Sequence, residues 1–193
     1  MITVSYGPAA VESDLRHGRL QCPRCVGVLG PWGKARTRVI RGDLNPVAVR
    51  RVQPFRARCH TFKVTDVLLP VLFAARRADE AQVIALGLEL WIAHRWGHRR
   101  IAALLGRPVS TVRGWLRAFA RSAPSLAAWF MRLLLREAGD AAGVWPTEHG
   151  GSTAGALGVL VAHARVFTER LAPAGVMVPW HGAALAAATR REC

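Results

Sequence analysis

Three consecutive residues, Gly106-Arg107-Pro108, separate two stretches of helical periodicity. Before them Ile101, Leu104 and Leu105 recur at i, i+3, i+4. After them Val112, Trp115, Leu116 and Phe119 recur at i, i+3, i+4, i+7, the spacing of one apolar helix face. Glycine favours the left-handed conformation that closes a helix, and proline pushes the residue before it out of the helical region. The stretch Gly97–Ser122 is therefore expected to form two helices joined by a tight turn, the second capped by Ser110. If each buries one face against a third helix, one side of the second helix stays free.

That free side carries Thr111, Arg113, Gly114, Arg117 and Arg121. Hydroxyl and guanidinium groups are the side chains that read base edges and hold phosphates, and glycine lets a backbone approach closely. Thr111, Arg113 and Arg117 are the expected base readers, with Ser110 beside them. Arg99, Arg100, Arg107 and Arg121 are the expected phosphate contacts. The competing reading is a helical hairpin of an ordinary core whose arginines form a solvated face. The small Ala102 and Ala103 in the first helix, the turn and the basic free face agree with one another, which an arbitrary hairpin does not require.

The third helix is expected from Ala78 to about Trp96, with Asp79 and Glu80 at its positive end. Ile84, Leu88 and Trp91 form its stripe, flanked by Val83, Gly87 and Leu90, and Gly97 is expected to allow the turn that follows. His94 and His98 have no acidic or cysteine partner at ligand spacing and are read as surface residues. His98, Arg99 and Arg100 open the next helix, where cations oppose the helix dipole. A bound phosphate would relieve that repulsion.

The N-terminal part has β character and a cysteine pattern. Ile2–Tyr6 reads as a strand and Ala9–Arg16 as a short helix. Cys22-Pro23-Arg24-Cys25 is a knuckle in which two sulfurs three residues apart reach one ion. A zinc ribbon needs a second pair, but Cys59 is followed at i+3 by Phe62. Cys22, Cys25 and Cys59 are thus candidate ligands with an unassigned fourth donor, for which His60, His17 or water could serve. Zinc is optional in this reading, and the favoured form is a metal-free module in which Phe62 fills the space as core. Arg36, Arg38, Arg41, Arg50, Arg51, Arg56 and Arg58 lie on its strands near Trp32 and Phe55. They suit phosphate contact and base stacking, or equally the protection of strand edges by charge. Gly42–Pro46 reads as a loop, and Pro70, within the apolar run Val67–Ala75, marks the handover to helices.

Beyond Ser122, Ala123-Pro124-Ser125 is expected to punctuate the chain, followed by a helix over Leu126–Glu137. Gly139–Gly151 reads as a break, Thr153–Leu171 as a helix with the stripe Leu157, Leu160, Val161 and Ala164, Ala172–Val178 as a loop, and Gly182–Arg191 as a short helix. The expected fold class is α+β and mostly α. It comprises a ribbon-like β module over residues 1–70, a helix-turn-helix unit over residues 71–122 and a helical appendage over residues 123–193. The appendage is expected to pack on the core or to provide a homodimer face.

Charge supports a polyanion as partner. The net charge is +15, with 25 Arg among 27 basic residues. Arginine richness also follows from a GC-rich genome, so its distribution is more informative. Residues 1–75 carry net +8, residues 76–137 net +7, and residues 138–193 none. The start lacks a secretory pattern, and no apolar run approaches the roughly 18 residues of a membrane span. A soluble cytoplasmic protein is expected, with cysteines free or on metal and not in disulfides. No phosphate loop, Ser-His-Asp set or HExxH is present, and the 71 residues after Ser122 hold only five acidic residues. That is too little chain for a two-metal nuclease-like domain, so no enzyme is expected.

The order of the Cys module, Thr65-Asp66-Val67-Leu68-Leu69-Pro70 and the Ile101–Gly106 and Ser110–Leu116 segments resembles a bacterial family of zinc-ribbon plus helix-turn-helix proteins. That family is similar to the homeodomain-like N-terminal parts of insertion-sequence transposases. Phe62 and Asp66 depart from its pattern. The resemblance implies double-stranded DNA binding by a transcriptional regulator or a detached part of a mobile-element protein. A protein-interaction adaptor with the helices as scaffold, and single-stranded nucleic-acid binding by the β module, remain the alternatives.

Overall fold

The structure, a computed structural model, describes residues 2–4, 8–42, 49–70, 78–139, 152–170 and 179–189. They form an α+β protein with a small N-terminal sheet followed by helices. Two compact units result, one built on residues up to Ala81 and the other running from Gln82 to Ala184.

The first unit contains β1 (Ile2–Val4), α1 (Pro8–Arg16), β2 (Leu29–Lys34), β3 (Arg38–Arg41), β4 (Val49–Val52), β5 (Phe55–Cys59) and β6 (Thr65–Pro70). Four strands make one sheet in the order β1-β6-β5-β2, with β1 parallel to β6 and the other pairs antiparallel. β3 and β4 pair separately, Arg38 opposite Val52 and Arg41 opposite Val49. α1 is amphipathic: Val11 and Leu15 are buried, four residues apart, while Glu12 and Arg16 pair on the outer side. The buried face joins Leu29, Ala57, Leu68, Cys22 and Cys59 in one core, so two of the three described cysteines are core residues as well as candidate ligands.

Asp79 and Glu80 do not open a helix. The helix they precede, α2 (Ala81–Ile92), has no acidic residue in its first turn. Instead Asp79 pairs beside Arg41 in an isolated parallel bridge: Arg41 N donates to Ala78 O, and Glu80 N donates to Arg41 O. Both carboxylates are 2% exposed; Arg41 lies 2.8 Å from Asp79 and Arg50 lies 3.4 Å from Glu80. Buried carboxylates persist where cations and hydrogen bonds answer them, and here the cations come from strands distant in sequence.

The second unit contains most of α2, then α3 (His98–Leu105), α4 (Val109–Ala138), α5 (Thr153–Arg170) and the start of α6 (Trp180–Thr189). The buried face of α2 is rotated from the expected stripe. Val83, Ala85, Gly87, Leu88 and Leu90 are buried, whereas Ile84 and Trp91 are half-buried. Three helices meet at Gly87, where a Cβ would lie 3.5 Å from Leu105, 3.6 Å from Trp115 and 3.7 Å from Ile101. Trp180 donates its indole N–H to Glu89, which ties α6 to α2.

α4 runs unbroken for 30 residues with Pro124 inside it, so Ala123-Pro124-Ser125 is no boundary. The reason is packing. Leu116, Phe119, Ala123, Phe130, Leu134 and Ala138 continue one buried stripe across the proline, which itself faces solvent. An interior proline removes one backbone hydrogen bond and costs roughly 3 kcal/mol; burying several large apolar side chains on either side outweighs it at about 1.5–3 kcal/mol each. The second half of α4 packs on α5, with the Phe130 and His163 rings 5.1 Å apart and His163 Nε2 3.3 Å from Glu137. On α5, Leu157, Leu160 and Ala164 are buried as expected, and Val161 is half-buried.

No helix among the described residues is long and apolar enough to cross a membrane. Residues 43–46 of the expected Gly42–Pro46 loop, the expected breaks after Gly139 and over Ala172–Val178, residues 71–77, and Cys193 lie outside the described residues.

Candidate functional site

The turn between α3 and α4 is built by local hydrogen bonds. Gly106 takes the left-handed conformation, φ 58° and ψ 38°. Its N–H donates to Ala103 O and that of Arg107 to Ala102 O, the Schellman pattern that satisfies the last carbonyls of a helix. Arg107 then folds its side chain inward. It is 5% exposed and donates to Leu105 O at 3.0 Å, so it braces the turn and does not present its charge to a phosphate. Pro108 caps α4 with its carbonyl, which accepts from Thr111 N and Val112 N. The helix thus starts one residue before the expected cap, and Ser110 is an exposed residue of its first turn making no cap bond.

Arg99, Arg100, Arg113, Gly114, Arg117 and Arg121 are all exposed, and Thr111 is half-buried. Of the apolar residues expected on the inner faces of these helices, Ile101, Leu105, Val112, Trp115, Leu116 and Phe119 turn inward, whereas Leu104 is 49% exposed. A Cβ on Gly114 would meet nothing within 4 Å, so the α4 backbone is uncovered there. The stretch that forms this face adds cations and no opposing charge, because no acidic residue occurs between Leu90 and Arg136.

Two contacts that sequence reasoning missed hold parts of the face in place. Arg113 donates toward His98 Nε2 at 3.2 Å, so a residue of α4 is tethered to the first turn of α3. The Arg100 guanidinium carbon lies 3.6 Å from the centre of the Trp96 ring, a cation–π stack. Trp96 precedes α3, across the extended Gly97, so helix spacing does not account for this contact. The turn before α3 is made by Arg95, at φ 57°, and not by Gly97, whose φ −72° and ψ 150° are open to any residue.

The second candidate site is a cluster of thiols. The sulfurs of Cys22, Cys25 and Cys59 all lie within 4.8 Å of one another, and those of Cys25 and Cys59 are 3.4 Å apart. Three thiols so placed can bind a metal ion; about 2.3 Å zinc–sulfur bonds in a tetrahedron put sulfurs about 3.8 Å apart. The Cys59 thiol is lowered to about 7, first by the Phe62 N–H, which donates to its sulfur at 3.4 Å, and also by Cys25 and the Thr61 N–H. Desolvation opposes those contributions on Cys59 and is the leading cause that pushes the Cys25 thiol up.

Phe62 does not fill the space as core: it is 58% exposed. Of the two histidines considered as fourth donors, His17 Nδ1 bonds the Ser13 carbonyl at 2.7 Å, and His60 lies over Gly30. Neither joins the three cysteines among the described residues. Gly27 is closely packed nearby: a Cβ there would lie 2.6 Å from Thr61 Oγ1 and 3.2 Å from Cys25 Sγ, so those side chains would have to shift.

The strand arginines divide by role. Arg41 and Arg50 answer buried acids, while Arg58 stacks on exposed Trp32 at 4.3 Å from its ring centre. Arg36, Arg51 and Arg56 are exposed and Arg38 is half-buried. Lys34 approaches the Phe55 ring at 5.7 Å.

Comparison of the chain with protein-family models, curated proteins and solved structures finds no match.

Proposed function

We propose that this protein binds double-stranded DNA, with α3 and α4 acting as a homeodomain-like helix-turn-helix and α4 entering the major groove. The observation that carries this reading is the exposed face of Arg99, Arg100, Arg113, Arg117 and Arg121 around the uncovered Gly114 backbone, with no acidic residue from Leu90 to Arg136. In this reading Arg113, Arg117 and Thr111 meet base edges, with Ser110 beside them, and Arg99, Arg100 and Arg121 meet phosphates. The protein is a regulator or the DNA-binding part of a mobile-element protein and carries out no catalysis. A single such unit reads few base pairs, so a homodimer through the C-terminal helices or a contact from the β module completes the site.

The ribbon-like β module holds zinc in this reading. The ion suits the donors, two cysteines on one tight turn and Cys59 at the end of β5, which would bind it as thiolates.

The deciding experiment is selection from randomised duplexes followed by titration at several salt concentrations. A preferred sequence and a binding constant that falls with salt are expected. Arg117→Ala should cost about 1–3 kcal/mol on the preferred sequence and relax the preference at one position. Absence of any salt-dependent duplex binding would defeat the reading. The exposed Trp32, 50% accessible and stacked with Arg58, favours a second reading: single-strand binding by the β module. That reading requires Trp32→Ala to weaken single-strand binding while leaving duplex binding intact.

A further inference from the structure

The backbone around Cys59 repeats the backbone around Cys22. In the first segment Cys22 N donates to Gly27 O at 2.8 Å, Val26 N donates to Cys22 O at 2.9 Å, and Val26 is left-handed at φ 58°. In the second, Cys59 N donates to Val64 O at 2.9 Å, Lys63 N donates to Cys59 O at 3.0 Å, and Lys63 is left-handed at φ 58°. The same two bonds and the same unfavoured φ therefore occur at the same offsets, i+4 and i+5. Neither left-handed residue is a glycine, asparagine or aspartate, so each conformation costs roughly 1–2 kcal/mol and is imposed by the turn. The second turn also keeps a feature useful for holding a thiolate, an N–H from position i+3 to the cysteine sulfur. Of the side chains that differ between the two turns, the one that bears on ligation is at position i+3, which is Cys25 in the first segment and Phe62 in the second.

We infer that Cys22, Cys25 and Cys59 hold a thiophilic divalent ion through three thiolates and leave its fourth coordination position open to an exogenous donor, because the second knuckle presents Phe62 where the first presents Cys25. This rests on the reading of the cluster as a zinc site. The Phe62 side chain does not cover the position by packing inward, because it is 58% exposed. No histidine or carboxylate among the described residues groups with the three sulfurs to close the shell. Sites closed by four protein ligands are structural, whereas an open position lets the ion exchange water for another donor. The donor that best suits three thiolates and a soft site is a fourth sulfur. An incoming small thiol would bind as thiolate, release its proton to solvent and displace the bound water, with no change of oxidation state.

Cobalt(II), a spectroscopic stand-in for zinc, tests this on the full reduced chain without oxygen. One equivalent should bind with sulfur-to-metal charge-transfer bands, and X-ray absorption should count three sulfurs and one lighter donor. Added 2-mercaptoethanol should shift the visible bands and raise the count to four sulfurs. His60→Ala should leave the wild-type spectrum unchanged. Phe62→Cys should give the four-sulfur spectrum without added thiol and make it insensitive to the thiol. Four sulfurs in the wild type, a spectrum unmoved by 2-mercaptoethanol, or loss of the light donor in His60→Ala would overturn the open position while leaving the metal site standing. Failure of the folded wild-type chain to take up cobalt would overturn both. The wild-type readouts decide the matter even if Phe62→Cys does not fold.

Discussion

Arg100, in the first turn of α3, is stacked on Trp96, which precedes the helix, with the guanidinium carbon 3.6 Å from the ring centre. The arginine is thus held at the entrance of α3, where its charge opposes the helix dipole. An anion at that point would gain from a cation already ordered. The stack separates two contributions of one residue to DNA binding, its charge and its placement.

Arg100→Ala should weaken binding to all duplexes alike and reduce the slope of log K against log salt by about 1. Trp96→Ala keeps the charge but frees the side chain. It should weaken binding by about 0.5–1 kcal/mol, the cost of re-ordering a long side chain, with the salt slope unchanged. Fluorescence-anisotropy titrations at four salt concentrations distinguish the two outcomes.

The two glycines flanking α3 should respond oppositely to alanine. Gly106 is left-handed at φ 58°, so Gly106→Ala should destabilise the helical unit by about 1–2 kcal/mol. Gly97 is extended and has nothing within 4 Å of an added Cβ. Gly97→Ala should be neutral or should stabilise by about 0.4–1 kcal/mol through the unfolded chain. Urea unfolding of both variants measures the difference.

Pro124 sits on the solvent face of the unbroken α4. Pro124→Ala restores a backbone donor without touching the buried stripe. It should stabilise the protein by about 1–3 kcal/mol, read as a higher urea midpoint with unchanged helix content by circular dichroism. Loss of stability would show that the proline is needed for the packing of α4 on α5.

The thiol cluster gives the metal-free protein a defined pH dependence. Cys59 has a folded value lowered to about 7 from an ordinary 9. Its contribution is therefore full above pH 9 and is lost as pH falls through 7. Cys25 is raised, so its contribution is present below 9 and is lost as pH rises beyond that. Chelated, reduced protein should gain stability from pH 7 to 9 and lose it above 9. Cys59→Ser should abolish the rise between 7 and 9, as followed by urea unfolding across that range. Metal uptake should flatten the profile, because bound thiolates no longer titrate there.

Much of the fold was readable locally, and the residues that were not share one property. Gly106 and the apolar residues of α3 and α4 announced a helix, a turn and a helix, because helix period and the left-handed cap are set within a few residues. The Cys22–Cys25 spacing announced a knuckle for the same reason. Arg107 looked like one more cation on a basic face, yet it is buried against Leu105 O; only the turn's geometry decides which way a side chain points. Asp79 and Glu80 looked like helix-opening acids, yet they answer Arg41 and Arg50, partners that lie across a strand pairing.

By itself, then, the sequence determined the helical periodicities, the Gly106 turn, the first knuckle and the sign of the charge over α3 and α4. Tertiary structure alone decided that α4 continues through Pro124, that α2 presents Gly87 to Leu105 and Trp115, and that Phe62 stays outside the cluster of Cys22, Cys25 and Cys59. The physical reason is range. Propensity, caps and period act over one or two turns at about 1 kcal/mol each. Burial and ion pairing act between segments far apart in the chain, and several such contacts together override any single local signal.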